Sequence, residues 1–182
     1  MKPVPLVLRP LRREDEASFV EAVGEFRAEQ PPWDFALGYD DALGFPEYLR
    51  QLDACARGEN VPAGLVPASF YVGVVGDVVV GRVSLRHELN EFLARIGGHI
   101  GYGVRPSQRG RGYATEMLRQ AIPLGAARGI THALITCDVD NVASRRVIER
   151  CGGVLESITA DPQLLIQKRR YWLTTTKPES CV

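Results

Sequence analysis

Between residues 101 and 120 the chain reads GYGVRPSQRGRGYATEMLRQ, with glycines at 101, 103, 110 and 112 set among four arginines. Apolar residues before the turn suit a strand. Behind it, Ala114, Met117, Leu118, Ala121 and Ile122 recur at i, i+3, i+4, i+7 and i+8, one face of an amphipathic helix. A strand feeding a glycine turn that opens a helix makes an anion site. The first-turn N–H groups lack intrahelical partners, the helix dipole adds partial positive charge, and glycine admits close backbone approach. Two nucleotide fingerprints fail here: a dinucleotide G-x-G-x-x-G needs glycine where Thr115 stands, and a P-loop needs Gly-Lys-Ser/Thr.

The remaining pattern sets the element order. Residues 4–11 read as a first strand and 12–30 as a helix with Phe19, Val20, Val23 and Phe26 on one face. The aromatic, turn-rich segment 31–44 reads as a surface loop, and Pro46 opens a second helix through about Arg57. Three strand-like runs follow, ASFYVGVVG, DVVVGRVSLRHEL and GGHIGYGVRP, an expected antiparallel meander. Gly101 and Gly103 are read as marks of a bulge in the third. Pro123 is expected to kink or end the helix after the turn, and Gly129 to close it. HALITCDV then reads as a strand buried on both faces, NVASRRVIERCGG as a short capped helix, and VLESITA and LLIQKRRYWLTT as the last strands.

No repeat or linker divides the 182 residues, so one domain over 1–182 is expected, with 176–182 a frayed tail. Lys plus Arg and Asp plus Glu balance at 22 each, which argues against nucleic acid as a partner, although the arginine-flanked helix invites that reading. No run of 18 apolar residues points to a membrane span. The four cysteines, at 55, 137, 151 and 181, have neither metal-ligand nor disulfide-framework spacing, so no metal and a reduced, cytoplasmic setting are expected.

Arg109, Gly110, Arg111, Gly112, Tyr113 and Ala114 match the [QR]-x-x-G-x-[GA] turn of the GNAT N-acetyltransferase superfamily, with its Val-x-Pro lead-in at Val104 and Pro106. The chain resembles that family throughout, including a later helix beginning at Asn141, and is similar to a bacterial branch with an RHELN segment before the turn. The resemblance implies an α/β fold with a mixed, mostly antiparallel sheet of about seven strands, helices on both faces, and a splay between the fourth and fifth strands. It also implies acetyl-CoA as cosubstrate: the turn would hold the pyrophosphate, and Tyr102, Gly103 and Val104 would align the pantetheine.

Acetyl transfer to a primary amine needs the amine neutral, and an ordinary alkylammonium, with a pKa of about 10.4, costs about 4–5 kcal/mol to deprotonate at pH 7. Related enzymes often place a Glu or His near where His99 stands, on the strand entering the turn, so the resemblance makes His99 the expected helper; His87 and Glu88 could form a base or bind a cationic acceptor. Relatives carry a tyrosine seven residues after the helix asparagine, where this chain has Ile148. The helix instead begins N-x-A-S, which resembles branches in which a serine at this place bonds the leaving sulfur; the resemblance thus implies Ser144 as that partner and Asn141 as a cofactor contact, and both also suit helix capping. Direct attack in a ternary complex is expected, on a small-molecule or peptide amine. The carboxylates and aromatics of 33–47 are read as the acceptor surface, and RRYWLTT as a homodimer contact. The main alternative is a non-catalytic acyl-CoA-binding module.

Overall fold

A computed structural model of the chain describes residues 5–161 and 166–176. The elements run β1 (Val7–Pro10), α1 (Glu16–Arg27), α2 (Phe45–Arg57), β2 (Ala68–Val75), β3 (Val78–Arg86), β4 (Ile100–Val104), α3 (Tyr113–Ala126), β5 (His132–Asp138), α4 (Val142–Arg150), β6 (Val154–Asp161) and β7 (Ile166–Thr174). Beyond residue 176, the expected tail lies outside the described residues. Two antiparallel sheets form, one ordered β1-β2-β3-β4 and one β5-β7-β6. The expected seven strands and their parting between the fourth and fifth are therefore both present.

Two cores pack against the sheets. Helix α3 lays Met117, Leu118 and Ala121 against Val83 and Leu85 of β3, Ile135 of β5 and Tyr171 of β7. Gly73 and Gly81 make this possible, because a Cβ at either would collide with Met117. The helix passes through Pro123 rather than ending there: Ala127 N–H donates to the Pro123 carbonyl at 3.0 Å, and Gly125, two residues on, stays buried. Burial of this face outweighs the hydrogen bond that the proline removes.

The opposite core is aromatic. Phe19 of α1 sits among Phe35, Tyr39, Phe45, Tyr48 and Phe70, with ring centroids 5.6–6.2 Å away. Segment 31–44 is irregular, as expected, but it is no loose surface loop. Phe35 and Ala36 are almost fully buried, and the Tyr48 hydroxyl donates to the Ala36 carbonyl. This anchorage fixes Trp33 over the sheet.

β7 lies between β5 and β6, so its backbone is paired on both sides. β6 is the outer edge of this sheet and β5 the edge toward the other sheet, and RRYWLTT, expected as a homodimer contact, lies along the central strand. The expected bulge at Gly101 and Gly103 is also absent: β3 and β4 pair in unbroken register from Gly81↔Val104 to Leu85↔Ile100. Both glycines serve a different purpose, described below.

Candidate active site

The gap between the sheets starts at His99. Its backbone N–H donates to the Leu134 carbonyl at 2.7 Å, and its Nδ1 accepts from the Leu134 N–H at 3.0 Å. One residue thus copies both halves of a strand pairing with β5. The Thr136 hydroxyl adds a bond to the Ile96 carbonyl. Beyond this pin, the β4 ladder pairs only with β3 and the β5 ladder only with β7, so each presents an unused edge to the cleft. Burial, and then the nearby Arg86, push the His99 pKa below its ordinary 6.5. Neutral, with Nδ1 already accepting, the ring carries its proton on Nε2. It therefore has no lone pair to offer a substrate ammonium while the pin is made, and the expected base instead holds the cleft's closed end.

The cleft's open end meets the glycine turn. Gly110 and Gly112 have φ of 78° and 82°, the left-handed region that disfavours other residues. A Cβ on either would meet no protein atom within 4 Å, so the space before them is open. Gly112 is the N-cap of α3, and no side chain caps the helix. The first-turn amides of α3 therefore face the opening without an intrahelical acceptor, as an anion cradle requires.

Of the arginines around the turn, two are committed elsewhere. Arg105 is buried against Glu25 at 2.6 Å and Glu21 at 3.0 Å, and Ser107 N–H also donates to Glu25. Glu25 is held below its usual carboxyl range, against the opposing effect of burial, by the Ser107 and Arg105 hydrogen bonds. Arg109 grips Glu29 through both terminal nitrogens at 2.6 and 2.8 Å and donates to the Val104 carbonyl. These pairs moor the turn to α1. Arg111, exposed at the mouth, has no side-chain partner among the described residues and remains available to a phosphate.

On the α3/α4 side of β4, the Tyr102 hydroxyl crosses to α4 and meets Ser144 Oγ at 2.8 Å. Burial pushes the phenol's pKa up, so it holds its proton at neutral pH. Asn141 caps α4, its Oδ1 accepting from Ser144 N–H at 2.9 Å. Burial likewise raises the Cys137 and Cys151 thiols, so neither is a ready thiolate nucleophile. The Tyr102 hydroxyl escaped the sequence reading, which treated this residue only as strand backbone; alternation along β4 was the available signal.

The other face of β4 holds what the glycines are for. A side chain at Gly103 would collide with the Trp33 ring, which lies on the strand and also stacks on the Arg82 guanidinium, 4.4 Å from its centroid. Gly101 lies beside the guanidiniums of Arg82 and Arg86. Arg82 is 3% exposed, its Nε has no hydrogen-bond partner among the described residues, and burial and then Arg86 pull its pKa down to about 10. Arg86 donates to the Gly97 and Gly98 carbonyls at 3.2 and 3.0 Å.

The residues expected to receive the acceptor are dispersed. His87 bonds Ser69 Oγ at 2.8 Å, near Arg128, and Glu88 is exposed. Asp41 pairs with Arg27 at 2.8 Å and Glu47 with Arg50 at 2.5 Å. What reaches β4 from this side is Trp33 with two arginines.

Comparison with known proteins agrees with this fold. Residues 5–154 match the family described as "Acetyltransferase (GNAT) domain". No curated protein matches the sequence. Among solved structures, the chain is similar to the ribosomal-protein-S5-alanine acetyltransferase of Vibrio fischeri, at 19% identity, TM-score 0.69, and 95% and 96% coverage of the two chains. RimJ of Mycobacterium smegmatis, in complex with CoA-disulfide, has 20% identity, TM-score 0.67, and 93% and 81% coverage. The protein yncA of Salmonella typhimurium, solved with its cofactor acetyl-CoA, has 15% identity, TM-score 0.62, and 97% and 99% coverage.

Proposed function

The chain belongs to the GNAT acetyltransferase family, and on that premise we propose that it transfers the acetyl group of acetyl-CoA to a primary amine by direct attack within a ternary complex. The observation that carries this reading is the open, uncapped glycine cradle of α3, set at the end of a β4 edge that no strand fills. Backbone amides of Gly110, Gly112, Tyr113 and Ala114 would hold the pyrophosphate, with Arg111 adding charge. Arg109 contributes through its main chain, its guanidinium being spent on Glu29. Tyr102, Gly103 and Val104 would pair with the pantetheine amides along the free edge, as strand addition does.

When bound, acetyl-CoA supplies an activated acyl group. The chain's part is to position it, exclude water and provide a proton for the departing sulfur. Ser144 and the Tyr102 hydroxyl form an O–H pair where α4 approaches β4, and both keep their protons at neutral pH. They would take the part that the resemblance gives to a tyrosine seven residues after the asparagine, where this chain has Ile148. Asn141 holds Ser144 in position by capping α4. His99 sets the width of the cleft. The high thiol pKa values of Cys137 and Cys151 favour direct transfer over an acyl-cysteine route.

Steady-state release of CoA in the presence of amines tests the reading, with intersecting initial-velocity lines expected for a ternary complex. Binding of acetyl-CoA without turnover on any amine would return the chain to the non-catalytic alternative. Tyr102→Phe and Ser144→Ala are each expected to lower kcat by on the order of 10- to 100-fold, the range of a positioned proton donor. The double variant should be little worse than either single one, because the two hydroxyls act through one hydrogen bond. Full kcat in both single variants would remove the pair from catalysis.

A further inference from the structure

Arg82 and Arg86 share one face of β3 with Ser84 between them, over the part of β4 that lacks side chains. If Gly101 carried a Cβ, Arg86 Nη1, Arg86 Nη2 and Arg82 Nη1 would lie 3.6, 3.7 and 3.9 Å from it. Two guanidiniums therefore converge on a single point beside the strand. Neither makes an ion pair with a carboxylate among the described residues: Arg82 reaches only the Asp34 carbonyl, at 3.4 Å, and Arg86 only the carbonyls of Gly97 and Gly98.

Such an arrangement is costly in isolation. Removing two like charges from water, side by side, is unfavourable without a counter-charge, and a protein that keeps them normally supplies one. Arg105, just past the end of the same β4, shows the usual solution, with Glu21 and Glu25 against it. Among the described residues, Arg82 and Arg86 receive backbone carbonyls and the face of Trp33, and the Asp34 carboxylate acts on Arg82 from a distance without pairing with it.

We infer that Arg82 and Arg86 clamp the carboxylate of the acceptor over Gly101, so that the amine substrate is a small molecule carrying its own carboxylate, of the amino-acid class. This rests on the acetyl-transfer reading and narrows its substrate. Guanidinium forks match the two oxygens of a carboxylate, and the glycine leaves room for them. Trp33 covers the neighbouring Gly103 and limits the room for a long chain at that end. Gly101 adjoins Tyr102 on β4 but faces the other side of the sheet, so the acceptor would approach from the Trp33 side and reach the acetyl group through the gap between β4 and β5. Two guanidiniums against one carboxylate leave a single net positive charge, which favours the neutral amine at a site where His99 has no free lone pair.

The test uses equilibrium binding of reaction products to the full chain saturated with CoA, which needs no turnover. N-acetylated amino acids are compared with their carboxamides, with N-acetyl-phosphoethanolamine and with an N-acetylated, C-terminally amidated peptide. At least one acid should bind 10-fold or more tightly than its amide. Gly101→Ala places a methyl at the convergence point, in ordinary contact with its neighbours, and Arg86→Gln removes one fork while retaining amide donors. Each variant should bring the acid-to-amide ratio close to one. That ratio is internal to each protein, so a general loss of folding does not imitate the effect.

Equal binding of acids and amides, no binding of any acid, a ratio unchanged in both variants, or tighter binding of the phosphate or peptide probe would overturn the clamp. Its failure is separable from failure of the transfer reading. Discrimination by the products with no CoA release on any amine would keep the clamp and defeat transfer, whereas CoA release with acids and amides alike would do the reverse.

Discussion

Gly112→Val is expected to raise the acetyl-CoA dissociation constant by on the order of 100-fold, about 2.7 kcal/mol of binding free energy. At φ of 82°, Gly112 sits where a β-branched residue is strongly disfavoured, so valine would pull the turn toward another conformation. A side chain that did remain would project into the open space before the α3 amides, where the phosphates would lie. Gly64→Val is the matched control. Gly64 has φ of 83° and equally open surroundings, but lies far along the chain from the turn. Both substitutions should reduce stability by about 1–2 kcal/mol through the left-handed conformation, and only Gly112→Val should weaken acetyl-CoA. Isothermal titration of the two variants checks the difference, and equal affinities would mean that the turn is not the phosphate cradle.

His99→Ala should destabilise the protein by about 1–3 kcal/mol, because it leaves the buried Leu134 N–H without its acceptor. His99→Asn should restore most of this loss, since Asn Oδ1 can replace Nδ1 as an acceptor while offering no base near neutral pH. The contrast separates a pin from a proton acceptor. If His99→Asn melts like the parent but loses kcat 100-fold, with the loss greatest above the His99 pKa and the acidic limb of the parent's pH profile abolished, catalysis and not architecture explains the residue.

The pin also predicts a pH dependence. The folded pKa of His99 lies below 6.5, so as pH falls through 6.5 the unfolded chain takes up a proton that the folded chain resists. Stability is therefore fully present above that value and declines on acidification toward the folded pKa. His87, shifted the same way by burial and then by Arg128, contributes in the same direction. The melting temperature should fall between pH 7 and pH 5, and less steeply in His99→Asn.

How far the sequence could be read depended on whether the deciding forces were local. The cradle was legible because glycine at a positive φ and an apolar stripe at helical spacing are written into consecutive residues, and α3 follows that stripe through Pro123. The splay followed from family resemblance, while its cause, the His99 side chain acting as a strand substitute, depends on where Leu134 lies across the cleft. Gly101 and Gly103 show the limit most clearly. In sequence, strand glycines indicate a bulge as readily as a close approach, and only the register with β3 and the seating of Trp33 decide between them. Arg82, Ser84 and Arg86 alternate through an apolar strand, and nothing in that alternation says that they are covered. Their burial comes from Trp33, carried on a segment whose anchorage depends on Phe35 packing against Phe19 and Phe26. The carboxylates of 33–47 looked like an amine site by composition, but Asp41 and Glu47 are turned to Arg27 and Arg50.

The most direct measurement follows the acetyl group itself. The full chain is incubated with acetyl-CoA labelled in the acetyl carbons and with a panel of amines that includes amino acids, and both the small molecules and the protein are then examined by mass spectrometry. The label is predicted on the nitrogen of an acceptor, with stoichiometric release of CoA and none retained on Cys55, Cys137 or Cys151. Acetyl-CoA that binds in the cleft yet keeps its label with every amine, or label recovered on a cysteine before it reaches the acceptor, would contradict direct transfer.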